Sequence, residues 1–264
     1  MEIPFYKMHG AQNEFVLIDR RQQDLPEGYS TLVQHLCDPK KGVGADGVIF
    51  FEPGQAVDVC MYFFNPDGHE VDFCGNGARC LAWLCAEVGL SKKQLSIQTR
   101  AGVMAAEVID QEVILTLGQV DKPLLDVILS EEMNVDVIQT GVPHAVLWCD
   151  QLDQIDLNTV GQYIRSHTHF APQGINANVA TYDKDGVIYM RTYERGVERE
   201  TLACGSGAVA VAMSALERGY SHFPVSLMCA GGDRLIVDRQ LNNITLQGGA
   251  VLEYSGVWEY GTRL

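Results

Sequence analysis

The sequence contains no apolar run long enough to cross a membrane. A spanning helix needs about 20 apolar residues, and the longest such run lies near Ala208 to Leu216. The opening segment MEIPFYKMHG also lacks the charged and then apolar plan of a secretion signal. We therefore expect a soluble, cytoplasmic protein with no membrane partner.

Positive charge is scarce as well. The chain has 19 Lys and Arg against 34 Asp and Glu, which gives a formal net charge of −15. Neutralising phosphates requires clustered basic side chains, and no basic pair here extends into a patch. The composition therefore argues against nucleic acid as a partner. It leaves small ligands open, because their binding depends on local groups.

Length and composition do allow ordinary folded cores. The chain has 264 residues, of which 47% are hydrophobic, so it suits one large domain or two lobes of similar size. Disorder and collagen-like repeats are excluded. Eight cysteines in a chain of this length without a secretion signal predict reduced thiols and not a disulfide scaffold.

Short strand-like runs separated by turn signals fill most of the chain, one of them at 244–254, and predict a mixed α/β (α+β) fold. Helix patterns at 75–88 and 205–218 each follow a cysteine, in CGNGA from Cys74 and CGSGA from Cys204. These cysteines stand half the chain length apart, which indicates an internal duplication. We predict an N-terminal lobe at 1–119, joined by the tail 255–264, and a C-terminal lobe at 120–254.

A thiol at the start of a helix has a chemical use. The first-turn N–H groups and the helix dipole favour a thiolate, and neighbouring glycines let a carboxylate approach those N–H groups. Two such thiols, Cys74 and Cys204, acting on opposite faces of one carbon would remove a proton from one side and return one to the other. The motif pair therefore predicts cofactor-independent inversion of an α-carbon.

Other interpretations compete with this one. A metal site formed by Cys74, Cys80 and Cys85 fails on spacing, because on a helix Cys74 and Cys85 share a face but lie about 16 Å apart. A pyridoxal-phosphate racemase finds no lysine in a phosphate-cradling glycine context. A non-catalytic amino-acid-binding module would need only the N–H groups. The other six cysteines are predicted to be core thiols: Cys37, Cys60, Cys80, Cys85, Cys149 and Cys229.

Six further segments carry a family resemblance. In chain order they are KMHG with Asn13, GVGADG at 42–47, FNPDG then EVDFCGNGARC at 64–80, GVPHAV at 141–146, INANV at 175–179, and RTYERG then ETLACGSGA at 191–208. The chain thereby resembles the diaminopimelate epimerases. The resemblance implies two pseudo-symmetric lobes, each with strands wrapped around a central helix, an active site in the cleft between them, no cofactor and no metal, and a homodimer.

The resemblance also implies roles for single residues. Cys74 and Cys204 correspond to the two catalytic thiols, and His144 and Glu194 to groups that help to move their protons. The substrate, a small amino acid, is expected to contact Asn13, Asn65, Gly75, Asn76, Asn176, Arg195, Gly205 and Ser206. Without the motif context, His144 would more often be a structural histidine, and Glu194 would more often form a solvated pair with Arg195.

The chain departs from the family pattern near these residues. Ala11, Gln12, Asn13 and Glu14 stand where the family usually has Leu-Gly-Asn-Asp, and Val142 stands where it often has Asn. The segment Glu198-Arg199-Glu200 is one residue longer than usual, and Gly47 replaces an occasional Gln. These changes bear on the substrate more than on the reaction, so an epimerase or racemase of glutamate, histidine or a proline derivative stays as the alternative.

Overall fold

The computed structural model describes residues 1–22 and 28–261. The chain divides into two compact units: unit 1 is Met1–Thr116 with Gly248–Leu264, and unit 2 is Leu117–Gln247. The return to unit 1 comes earlier than the predicted residue 255, because the whole last strand, Val251–Glu259, pairs with the first strand of the chain. Residues 262–264 of the predicted tail lie outside the described residues.

Unit 1 consists of strands and two helices. In chain order these are β1 (Glu2–Gly10), β2 (Asn13–Asp19), α1 (Tyr29–Cys37), β3 (Gly47–Pro53), β4 (Val59–Phe64), β5 (Glu70–Val71), α2 (Gly75–Glu87), β6 (Gln94–Thr99), β7 (Gly102–Ile109) and β8 (Glu112–Gly118). Helix α2 packs against β1, β2 and β7 and buries residues around most of its circumference. It therefore forms the core of the unit.

Unit 2 has the same plan. Its elements are β9 (Leu124–Ser130), β10 (Met133–Gln139), β11 (Pro143–Trp148), α3 (Leu157–Ser166), β12 (Asn176–Tyr182), β13 (Ile188–Glu194), β14 (Arg199–Thr201), α4 (Gly205–Arg218), β15 (Val225–Met228), β16 (Arg234–Gln240) and β17 (Asn243–Gly249). Helix α4 packs against β10, β11 and β16. The last strand, β18 (Val251–Glu259), belongs to unit 1.

Strand pairing within each unit follows one order. In unit 1, β1 and β2 are antiparallel, β2 and β3 are parallel across α1, β3 and β4 are antiparallel, and β4 pairs in parallel with β6 after α2. Unit 2 repeats these relations in the same order. There, β10 and β11 are antiparallel, β11 and β12 are parallel across α3, β12 and β13 are antiparallel, and β13 pairs in parallel with β15 after α4. The two cysteine motifs therefore begin equivalent helices.

Both central helices begin and end in closely similar ways. Cys74 and Cys204 are the N-cap residues, with φ/ψ of −141°/113° and −132°/110°. Gly89 and Gly219 follow the helices with φ of 70° and 73°, the left-handed conformation that glycine adopts at least cost after a last helical turn. Among the described residues, no helix combines the length and apolarity that crossing a membrane requires.

Two sequence-based expectations need correction. The run predicted at 244–254 is two strands, β17 and β18, separated at Ala250, because the first pairs with β16 and the second with β1. Cys37, Cys80, Cys85 and Cys229 are buried as expected, but Cys60 and Cys149 are only partly buried. Cys60 lies on β4 opposite the partly exposed Glu52, and Cys149 lies just beyond the end of β11.

Candidate active site

The first cysteine motif places a partly buried thiol at the start of α2. The Cys74 Sγ lies 3.9 Å from Oδ1 of Asn13, a residue at the start of β2. Gly75 and Asn76 occupy the first turn, where backbone N–H groups have no partner within the helix. A carboxylate approaching this turn would meet those N–H groups beside the thiol.

A fully buried arginine orients the side chains around Cys74. Arg79 Nη2 donates to Asn76 Oδ1 at 2.9 Å, and Arg79 Nε donates to the Gly249 carbonyl at 3.4 Å. Because a guanidinium can only donate, the Asn76 amide must turn its Nδ2 toward Asn13, whose Oδ1 it meets at 3.2 Å. Asn13 Nδ2 in turn donates to Asp46 at 2.9 Å. The Asn13 carbonyl oxygen therefore faces the thiol.

The second thiol is more deeply buried. Cys204 is the N-cap residue of α4, and its Sγ lies 3.5 Å from the Ser206 hydroxyl oxygen. Burial raises the pKa of Cys204 to about 12, and the Glu194 carboxylate adds to the increase. The Ser206 hydroxyl and the Gly207 amide act in the opposite direction. The helix start alone thus does not bring the pKa of this thiol toward neutrality, contrary to the expectation from the motif.

His144 reaches Cys204 through a serine. The imidazole is fully buried, with Nε2 at 2.9 Å from the Ser206 Oγ and Nδ1 at 3.1 Å from Nδ2 of Asn178. Burial, reinforced by the positive charge of Arg195, lowers the pKa of His144 to about 3. The ring is therefore neutral at ordinary pH, and Ser206 stands between it and the thiol.

Asn176 and Arg195 hold each other in place. The Asn176 amide donates from Nδ2 to the Pro143 carbonyl at 3.2 Å and accepts at Oδ1 from the Arg195 backbone N–H at 2.9 Å. The Arg195 guanidinium donates to the Gln173 carbonyl at 3.3 Å. Since Arg195 is only partly buried, its guanidinium still has surface to offer a carboxylate.

The carboxylates that precede each cysteine are paired with arginines. Arg100 contacts Glu70 at 3.1 Å and Asp72 at 3.2 Å, upstream of Cys74. Arg191 contacts Glu200 at 2.7 Å, upstream of Cys204. The negative charge noted in the sequence near both thiols is therefore balanced locally.

Comparison with known proteins identifies the family. The family model described as diaminopimelate epimerase matches residues 5–123 and 137–252. The chain belongs to the diaminopimelate epimerase family. It is 36% identical to the diaminopimelate epimerase of Archaeoglobus fulgidus, with 97% of this chain and 96% of the relative covered, and 35% identical to that of Aquifex aeolicus, with 96% of each covered.

Solved structures agree on the fold. A PhzF-family phenazine biosynthesis protein of Bacillus anthracis superposes with a TM-score of 0.74 at 17% identity, covering 98% of this chain and 99% of that one. A hydroxyproline epimerase of Agrobacterium vitis superposes with a TM-score of 0.73 at 16% identity, covering 97% and 91%. The predicted α/β fold of this diaminopimelate epimerase family member is thereby confirmed.

The residues singled out by the family motifs are divided between the two units, and within each unit they do not all lie together. In unit 1, hydrogen bonds link Asn13, Cys74 and Asn76, and Gly75 lies between the last two in the first turn of α2, whereas Asn65 lies in the exposed turn between β4 and β5. In unit 2 one group surrounds the start of α4 and a second lies at the ends of β12 and β13; together they comprise His144, Asn176, Glu194, Arg195, Cys204, Gly205 and Ser206. Their roles in catalysis and binding stay predictions.

Sequence reasoning missed four supporting side chains. Arg79 carried a signal, since it is the one positively charged residue in the helix sequence GNGARCLAWLCAE. Asn178 and Thr192 lie inside quoted motifs, INANV and RTYERG, yet nothing in the spacing indicates that Asn178 contacts His144 or that Thr192 donates to Asn178. Asp46 likewise lies inside GVGADG. The partners of Asn178, Thr192 and Asp46 lie on other strands, so only the fold brings these groups together.

The departures from the family pattern have structural counterparts. Ala11 and Gln12 have φ of 52° and 60° and form the two-residue turn between β1 and β2, a conformation that glycine adopts more readily. Glu198 also has a positive φ of 58°, and its carboxylate accepts from Arg165 Nε at 3.0 Å. Val142, just before β11, is 36% exposed.

Proposed function

We propose that this chain interconverts LL- and meso-diaminopimelate without a cofactor, with Cys74 and Cys204 as the two acid/base groups. One observation carries the proposal: two equivalent core helices each begin with a cysteine whose sulfur contacts a polar side chain, Asn13 or Ser206. Membership of the diaminopimelate epimerase family supports the substrate.

The proposed chemistry moves two protons. A thiolate removes the α-proton, so the C–H bond breaks and its electron pair is delocalised onto the adjacent carboxylate. The thiol of the other cysteine then gives its proton to the opposite face of the carbon. First-turn N–H groups at Gly75, Asn76, Gly205 and Ser206 supply preorganised donors for the developing charge, each worth on the order of 10²–10³ in rate in other enzymes.

Each turnover leaves the thiols in exchanged protonation states. The enzyme that has converted LL substrate is therefore ready for the reverse reaction and returns to its first state by exchange with solvent. His144 and Glu194 lie on the Cys204 side, where both affect the sulfur: His144 through Ser206 and Glu194 through its charge. In this proposal they tune the proton affinity of Cys204.

The remaining roles follow the family. Asn13, Asn65, Asn76, Asn176 and Arg195 contact the substrate, and the Arg195 guanidinium offers paired donors to a carboxylate. Diaminopimelate carries two ammonium and two carboxylate groups at neutral pH, so the acidic net charge of the chain does not oppose its binding. A homodimer working in the cytoplasm belongs to the same proposal.

Solvent exchange tests the proposal. Reduced protein is incubated with LL-diaminopimelate in D₂O, and ¹H NMR follows loss of the α-proton while chromatography follows the meso isomer. We expect deuterium at one α-carbon and formation of meso product. Absence of both with folded, reduced protein would refute the proposal.

Matched cysteine variants assign the thiols. Cys74→Ala and Cys204→Ala are expected to lose nearly all isomerisation, whereas Cys60→Ser and Cys149→Ser, which alter partly buried cysteines away from the helix starts, should retain it. Retained turnover in either of the first two variants would contradict the two-thiol mechanism. A non-catalytic binding module would bind the amino acid and leave its α-proton in place.

A second substrate class is favoured by one observation. Val142 is apolar and partly exposed just before β11, where the family often has a hydrogen-bonding Asn. The same exchange assay with glutamate, histidine and hydroxyproline decides the matter. Faster exchange with any of these than with diaminopimelate would shift the proposal to that substrate and keep the mechanism.

A further inference from the structure

We propose that Asn178 is a positioning residue that fixes the tautomer of His144 and thereby makes Ser206 a hydrogen-bond donor to Cys204. The inference rests on the proposed function for its catalytic meaning. The hydrogen-bond chain itself lies wholly within unit 2 and is independent of any substrate.

The orientation of the Asn178 amide follows from its neighbours. Its Nδ2 lies 2.9 Å from the Ala145 carbonyl oxygen, an atom that can only accept, so the group facing it must be the NH₂. Its Oδ1 lies 2.9 Å from the Thr192 hydroxyl, which donates to it. Asn178 is fully buried and Thr192 is 2% exposed, so water offers no competing partner. The reverse orientation would set two carbonyl oxygens against each other.

The amide orientation determines where the imidazole proton sits. The Asn178 NH₂ also lies 3.1 Å from His144 Nδ1, so that nitrogen must accept and carries no proton. The neutral ring therefore carries its proton on Nε2, which lies 2.9 Å from the Ser206 Oγ and donates to it. Burial and the positive charge of Arg195 lower the pKa of His144 to about 3, so the ring holds a single proton at neutral pH.

The last link is the serine hydroxyl. With one lone pair of Oγ occupied by His144, the Ser206 hydroxyl proton is free to point at the Cys204 sulfur, 3.5 Å away. That bond stabilises a thiolate, against the burial of the sulfur and the charge of Glu194. Among the described residues, the charges of Glu194 and Cys229 raise the pKa of Cys204, and the charge of Arg195 lowers that of His144. Asn178 thus acts on the reaction through two other side chains.

NMR tests the tautomer in the intact protein without turnover. Protein labelled with ¹⁵N-histidine gives long-range ¹H–¹⁵N correlations that distinguish a protonated from an unprotonated ring nitrogen, and the missing signal of His144→Gln assigns the resonance. We expect His144 to hold its proton on Nε2, with Nδ1 unprotonated, from pH 6 to pH 9. A proton on Nδ1 would overturn the inference whatever the enzyme's substrate proves to be.

Paired variants test the consequence for Cys204. Asn178→Asp replaces the donor by an acceptor of the same shape, so the proton should move to Nδ1 and Ser206 should turn to Nε2. Thr192→Val removes only the support of Oδ1, and the Ala145 carbonyl should keep the tautomer unchanged. In a Cys74→Ala background, we expect alkylation of Cys204 by iodoacetamide at pH 8 to slow about tenfold in Asn178→Asp and to stay within about twofold in Thr192→Val.

A double variant separates the effect of the relay, the hydrogen-bond chain Asn178–His144–Ser206, from the effect of the negative charge that Asn178→Asp introduces. Ser206→Ala alone should slow alkylation about tenfold, and Asn178→Asp should add clearly less in that background than in the wild type. Equal slowing in both backgrounds would mean that Asn178 does not act through Ser206 and would overturn the inference. If Asn178→Asp does not fold, the wild-type tautomer and the Ser206→Ala rate still decide it. Loss of diaminopimelate turnover with an intact relay would count against the proposed function alone.

Discussion

Two equivalent glycines should respond very differently to the same substitution. Gly77 and Gly207 each stand three residues after the cysteine of their motif, within the first turn of α2 or α4. A Cβ at position 207 would lie 2.5 Å from Asn178 Oδ1 and 3.3 Å from Cys204 Sγ. A Cβ at position 77 would lie 2.7 Å from the end of the Ile49 side chain. The first neighbour is held by hydrogen bonds, and the second is the end of a rotatable chain.

The magnitudes follow from what has to move. Replacing glycine by alanine inside a helix gains about 1 kcal/mol. At position 207 this gain is opposed by overpacking of about 1–3 kcal/mol and by weakening of an Asn178 hydrogen bond worth about 1 kcal/mol. We expect a net loss of about 1–3 kcal/mol in Gly207→Ala. In Gly77→Ala, shifting the Ile49 side chain costs about 0.5–1.5 kcal/mol, so the net change should lie within about 1 kcal/mol of zero.

Urea denaturation and the D₂O exchange assay measure both effects. Gly207→Ala should also lose at least tenfold in exchange rate, because the added methyl displaces Asn178 or moves the Cys204 sulfur. Gly77→Ala should stay closer to the wild type in stability. A Gly207→Ala protein that is as stable and as active as the wild type would refute the reasoning about the first turn of α4.

Three further predictions concern single positions, and one of them has a matched control substitution. Gln12→Gly relieves a φ of 60° in the turn between β1 and β2 and should raise the unfolding free energy by about 0.5–1 kcal/mol; an unchanged or lower urea midpoint would contradict it. Arg218→Ala leaves the fully buried Asp136 without its guanidinium partner at 2.7 Å and should lower the unfolding free energy by about 3 kcal/mol. The control is the neighbouring Glu217→Ala, which removes a 3.7 Å ion pair with an exposed lysine and should lower it by less than about 1 kcal/mol. The folded-state pKa of His144 is lowered to about 3, so between about pH 3 and pH 6.5 this residue binds a proton only in the unfolded chain. Its contribution therefore makes the unfolding free energy fall by up to about 1.4 kcal/mol per pH unit as the pH drops through that window. His144→Gln should lessen that slope in urea titrations at pH 4.5–7, and an identical slope would count against a neutral buried imidazole.

The sequence was most informative where local chemistry decides the structure. The cysteine-glycine motifs and the glycines after the helices predicted α2 and α4, because capping and left-handed conformations depend on neighbouring residues. The split of the 244–254 run at Ala250 was not predictable in this way. Its two halves pair with strands far apart in the chain, β16 and β1, and periodicity carries no record of the partner.

The candidate site shows the same difference between residues that are neighbours in sequence and residues that only the fold brings together. The thiols and the first-turn residues belong to the motif itself, so the sequence places them together. The groups that orient them come from elsewhere: Asn13 lies 61 residues before Cys74, and His144 lies 62 residues before Ser206. The effect of burial on the pKa of Cys204 also depends on strands packed around the helix start, and the motif suggested the opposite direction.

The side chains that orient the two thiols make the two halves of the duplication chemically different. In unit 1 the chain of hydrogen bonds starts at Arg79, which can only donate. It passes through the Asn76 amide to the Asn13 amide, whose carbonyl oxygen faces Cys74. In unit 2 it starts at the Ala145 carbonyl, which can only accept, and it ends with a hydroxyl beside Cys204.

An acceptor favours a protonated sulfur, whereas a donor favours an ionised one. Burial and Glu194 work against ionisation of Cys204, so the donor moderates an effect that would otherwise hold that thiol protonated throughout. A reaction that takes a proton on one sulfur and gives one from the other, in either direction, requires both protonation states to be reachable at both sites. In the proposed mechanism, the hydroxyl donor beside Cys204 serves this requirement by offsetting part of the effect of burial on the more deeply buried thiol.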